Sequence, residues 1–111
     1  MALERMEYEI APTGPTYSRA VKAGNTMYIS GCTARGTDAQ GKSMMEQLEV
    51  TLNRLVSIVA EEGAGTGSFA KLTTFVTSMD KYQADSQQME ALFANYFDGQ
   101  YPANSLVEIT A

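Results

Sequence analysis

The stretch 43–63 restricts the fold more than any other part of the chain. Ser43 and Glu46, in "SMME", stand at capping-box spacing, which satisfies two otherwise orphaned N–H groups at a helix start. Leu48, Leu52, Leu55 and Val59 then recur on one face, and Gly63 stops the helix. A helix that is apolar on one side needs a surface to cover that side.

Segments before and after this helix read as strands. Residues 8–10 form a short extended start, followed by the Pro/Gly/Ser/Thr-rich loop "APTGPTYS". "RAVKAGNTMYISG" reads as a hairpin turning at Ala23, Gly24 and Asn25, because Gly and Asn accept the positive φ of tight turns. Met27 and Ile29 alternate with Tyr28 and Ser30, so the second strand has two distinct faces. "CTARGTDAQGK" is a polar loop, and "FAKLTTFVTSM", β-branched and aromatic, reads as a central strand.

Asp80 is the expected N-cap of a second helix with an apolar stripe of Met89, Leu92, Phe93, Tyr96 and Phe97, ended by Gly99. In "QYPANSLVEI", Pro102 excludes a helix, and a final strand begins near Asn104 and runs to the last residue. The order β-β-β-α-β-α-β predicts a single α+β domain over residues 1–111, with helices on one face of a mixed sheet. A chain of 111 residues has no second helical layer for the other face, so another subunit is expected to cover it.

Composition removes several kinds of chemistry. Histidine is absent, so Ser-His-Asp and Cys-His machinery and His-based zinc sites are excluded. Any general acid or base must be a carboxylate, tyrosine, lysine or bound water. The net charge of -5, with eight scattered Lys and Arg, argues against nucleic acid as a partner. No apolar run approaches the roughly 20 residues of a membrane span. The start "MALERMEYEI" lacks the apolar core of a signal peptide, and a lone Cys32 fits a reducing, cytoplasmic compartment.

The blocks "YSRAVKAGNTMYISG", "EEGAG" after the capped helix, "KLTTFVTSMDKY" and "YPANSLVEI" together resemble the RidA/YjgF (endoribonuclease L-PSP) family, in its order and spacing and over nearly the whole chain. The resemblance implies a chorismate-mutase-like α+β subunit in a homotrimer, with small-metabolite clefts between subunits. It also implies hydrolysis of enamine or imine intermediates such as 2-aminoacrylate to a keto acid and ammonia, with no metal or organic cofactor.

Carried over by motif, the substrate-binding positions are Tyr17, Ser30, Gly31 and Asn104. In the family's imine deaminases an arginine clamps the substrate carboxylate at the position held here by Asn104, which has no charge to neutralise an anion. The residue two places on, often cysteine in those enzymes, is Leu106. The family's water-positioning glutamate lies on a closing strand expected after residue 111.

Two further candidates are Cys32, beside the Ser-Gly pair, and Arg35, a stand-in for the missing clamp. Arg19 and Lys22 read as solvated edge charges, and Glu90 and Glu108 as solvated or interface charges. Met44 and Met45 read as core filler or as residues lining a subunit contact. The expected function is a small-metabolite binder acting as an imine or enamine deaminase of non-standard specificity. A non-catalytic binding or regulatory module is the alternative, and an endoribonuclease or translation inhibitor is disfavoured by the acidic balance.

Overall fold

The first strand lies earlier than the sequence suggests. A computed structural model describes residues 2–110, and in it β1 is Leu3–Met6. Residues 9–10 turn instead, closed by the Ala11 N–H donating to the Tyr8 carbonyl at 3.2 Å. Burial of the Tyr8 ring and of Ala11 draws this turn into the core. The hairpin forms as expected: β2 (Ala20–Ala23) pairs antiparallel with β3 (Thr26–Ile29), and Gly24 takes φ 60° at the turn. β1 joins the other edge of β2, Leu3 opposite Ala23 and Met6 opposite Ala20.

Helix α1, Met44–Glu61, starts on Ser43, whose hydroxyl accepts the Glu46 N–H at 3.2 Å. The second half of the expected capping box differs: the Glu46 carboxylate accepts from the Ser43 hydroxyl at 2.9 Å rather than from its backbone N–H. Gly63, at φ 78°, follows the helix end. Its buried face holds Met45, Leu52, Ile58 and Val59, with Leu48 and Leu55 only half-buried. Met45 is therefore a core residue and not a contact for another subunit.

A 3-10 turn at Thr66–Ser68 leads into β4, Lys71–Val76. The second helical region is broken in two. Ser78, not Asp80, caps α2 (Met79–Ala84), its hydroxyl accepting the Lys81 N–H at 3.2 Å. A carboxylate oxygen of Glu108, which is exposed as expected, accepts the Met79 N–H at 2.6 Å, so Glu108 also serves that helix start. The chain bends at Asp85, and α3 (Ser86–Phe97) follows, ending in left-handed Asp98 and Gly99. The final strand, β5, is Ala103–Glu108 and stops short of the expected end: residues 109 and 110 are outside it, and 111 lies outside the described residues.

The architecture is α+β with both antiparallel and parallel strand pairing, as expected. Among the described residues the strands fall into two ladders, β1-β2-β3 antiparallel and β4-β5 parallel, with Lys71 opposite Ala103 and Val76 opposite Glu108. β4 thus has one strand neighbour here and not the two of a central strand. Ile58 of α1 packs with Tyr8, Ala11 and Ala20, against Met27 and Ile29. Its complete burial contributes about 1.5–3 kcal/mol.

A second cluster joins Met45, Val76 and Tyr82 to Leu48, Met89 and Leu106. Helices therefore cover one face of each ladder. Strand alternation turns Tyr28, Phe75 and Val107 to the opposite face, where Tyr28 and Phe75 are 64% and 61% exposed.

Candidate functional site

Arg19, expected as a solvated edge charge, is 4% exposed and organises the candidate site. It directly precedes β2, and its side chain turns inward under the loop 11–18. Nε donates to the Ala11 carbonyl at 2.9 Å and Nη2 to that of Pro12 at 3.1 Å. Nη1 reaches the exit of β3, donating to the carbonyls of Gly31 at 2.8 Å and Ser30 at 3.3 Å. A guanidinium fork can span two loops in this way because its donors are fixed in one plane. Loop carbonyls that burial would otherwise leave unpaired supply the driving force.

Four sequence-predicted residues, Tyr17, Ser30, Gly31 and Cys32, contact this hub. The Tyr17 ring lies 5.5 Å from the Arg19 guanidinium carbon, a cation–π arrangement, and packs against Gly14, where a β-carbon would approach it to 3.3 Å. Tyr17 is still 47% exposed. The Ser30 hydroxyl donates to the Ser18 carbonyl at 2.6 Å, closing the strand exit against the loop. Gly31 is exposed with open space where a side chain would be. Outside the hub, Glu7 accepts from the Thr13 hydroxyl at 2.7 Å and from the Arg19 backbone N–H at 3.0 Å, which hold its carboxyl below the usual range.

Cys32 is half-buried beside this rim. Its Sγ accepts from Arg19 Nη1 at 3.5 Å, and the thiol donates to the Ser30 carbonyl at 3.5 Å. Burial pushes the thiol pKa up, outweighing the opposite pull of Arg19 and Arg54. The thiol therefore stays protonated at neutral pH and is no ready nucleophile. Arg35 is exposed, and its backbone N–H donates to the Thr33 hydroxyl at 3.2 Å.

Asn104 stands apart, on β5 in the other ladder. Thr74 donates its hydroxyl to Asn104 Oδ1 at 2.9 Å, which engages one lone pair of the carbonyl and leaves the two amide N–H donors free of any partner among the described residues. Among the described residues no hydrogen bond joins Asn104 to Tyr17, Ser30 or Gly31. The structure thus gathers Tyr17, Ser30, Gly31 and Cys32 on one rim and places Asn104 elsewhere in the subunit.

Arg54, on α1, was not singled out from the sequence. It is 7% exposed, and its Nη1 donates to the Thr33 carbonyl at 2.7 Å. The available signal was a charged residue two positions after Leu52, between the apolar positions of a one-sided helix.

The sequence pattern of the family described as Endoribonuclease L-PSP matches residues 6–111. A yeast relative, "Protein MMF1, mitochondrial" (Saccharomyces cerevisiae), is 27% identical over 90% of this chain and 68% of its own length. A 2-iminobutanoate/2-iminopropanoate deaminase of Dermatophagoides farinae is 26% identical over 88% of this chain and 75% of its own. The solved structure of YyfA, a Rid-family protein of Yersinia pestis, superposes with TM-score 0.82 at 25% identity, covering 99% of this chain and 88% of that one. A match over nearly the whole sequence and a shared fold make this chain a member of the Endoribonuclease L-PSP family, the RidA/YjgF proteins.

Proposed function

We propose that the chain is one subunit of a homotrimer that binds a small metabolite in clefts between subunits and hydrolyses a C=N bond there. The observation that carries this reading is the rim pinned by Arg19, where exposed Tyr17 and open Gly31 flank a strand exit whose carbonyls are held in place. Such a rim orients a flat, small ligand through one aromatic face and backbone groups. Asn104 adds two neutral N–H donors from β5, a different wall.

Water attacks the imine carbon, the carbinolamine loses ammonia, and a carbonyl compound remains, so one water is consumed for each C=N cleaved. The relative named as an iminobutanoate and iminopropanoate deaminase supports this reaction class. Exposed Tyr28 on one ladder and Phe75 and Val107 on the other support assembly, because other subunits would remove them from water. The cytoplasm is the compartment we propose, on the lone cysteine of the sequence. Among the described residues no helix is long and apolar enough to cross a membrane.

A second reading, a binding module without catalysis, draws on Asn104. An uncharged amide stands where the family's deaminases place their arginine clamp. The test is release of ammonia from 2-iminopropanoate, generated in situ by a dehydratase, with and without the protein. Acceleration over buffer is expected; a rate equal to buffer, together with retained binding of a keto-acid product, would establish the second reading instead.

A further inference from the structure

Two guanidiniums converge on one short segment. Arg19 holds the Ser30 and Gly31 carbonyls, and Arg54 holds the Thr33 carbonyl two residues further on. Both residues are more than nine-tenths buried. Among the described residues neither guanidinium donates to a carboxylate. The helical neighbours of Arg54 three and four positions away are Val50, Thr51, Ser57 and Ile58, so the adjacent turns of α1 place no acid beside it.

The two arginines differ in what they have left to give. Nε, Nη1 and Nη2 of Arg19 are all committed to backbone carbonyls. Arg54 commits Nη1 alone among the described residues, out of a fork with five N–H donors. Among the described residues no side-chain nitrogen fully shut off from solvent lacks a partner, so the spare donors of Arg54 keep some contact with solvent. A buried cation beside a second cation, with unspent donors and no counter-charge, is costly until an anion arrives.

We infer that Arg54 is the anion-recognition group of this protein, binding the carboxylate of a small ligand at the β3 exit and so supplying the charge that Asn104 lacks. This rests on the reading of that rim as the ligand site, and it narrows the ligand to small carboxylates. Thr33, whose carbonyl the guanidinium holds, is itself exposed, so this end of Arg54 lies next to solvent.

The test uses the full chain and two probes of matched shape, pyruvate and its uncharged counterpart acetone. Calorimetric titration is expected to show pyruvate binding at least about ten-fold tighter than acetone. Arg54→Gln should weaken pyruvate by roughly ten- to a hundred-fold, the worth of charge-assisted hydrogen bonds, and leave acetone unchanged. Because Arg54→Gln also removes the brace on Thr33, the guanidinium N–H signals of unmutated, 15N-arginine-labelled protein provide a check free of folding effects. The Arg54 signals should shift on adding pyruvate and not on adding acetone.

Equal affinity for the two probes, unmoved Arg54 signals, or pyruvate binding untouched by Arg54→Gln would each overturn the inference. Hydrolysis of 2-iminopropanoate in a protein that fails these binding tests would sink the role of Arg54 alone. Pyruvate binding through Arg54 without any hydrolysis would sink the catalytic reading alone.

Discussion

Arg19 shows how one side chain can define a rim that no local pattern announces. Its fork ties residues 11–12 to residues 30–31, so the loop and the strand exit cannot move independently. Replacing it with methionine keeps much of the packing volume and deletes every donor. The carbonyls of Ala11, Pro12 and Gly31 then lose their Arg19 donors, and urea unfolding of Arg19→Met is expected to show a loss of about 3 kcal/mol. Lysine should recover little, since a single ammonium cannot span both loops. A loss near zero would mean that water replaces the guanidinium at no cost, and that the rim is not held by it.

Secondary-structure elements show where caps and breaks are set by neighbours and not only by their own residues. Ser43 starts α1 through its hydroxyl, and Ser43→Ala should cost about 1 kcal/mol in the same unfolding experiment, with Ser43→Asp retaining most of it. An unchanged midpoint for the alanine variant would show that this helix start is fixed by packing alone. At the other end of the fold, α2 takes its start from Ser78 and from Glu108 of β5. Asp80 is a residue type that caps helices, but the Glu108 contact that joins Ser78 at this helix start spans 29 positions in the chain and has no local sign. The bend at Asp85 was equally hidden, since the stripe from Met89 to Phe97 belongs to α3 alone.

At the scale of the molecule, each strand ladder has one face covered by helices and one left open. Tyr28 stands on the open face of one ladder, Phe75 and Val107 on that of the other, and the proposed homotrimer removes them from water. Analytical ultracentrifugation is expected to give three times the 12.0 kDa of one chain. Phe75→Glu should shift the protein toward monomer while leaving helical circular dichroism intact, because the side chain is 61% exposed within the subunit. A trimer that tolerates the charge would place the subunit contact elsewhere.

Local pattern alone determined the hairpin at Gly24, the cap at Ser43, the stop at Gly63 and the strands on either side of α1. Each depends on residues within a few positions of one another, where φ preference, capping and periodicity act. The four sequence blocks likewise pointed to the family that the later comparisons support. Tertiary structure alone decided that Arg19 is buried, that Arg54 meets Thr33 and that Asn104 accepts a hydrogen bond from Thr74. These facts depend on partners 11, 12, 21 and 30 positions away in the chain. A charged residue reads as solvated until folding brings unpaired carbonyls to it, and that meeting is a property of packing, not of sequence period.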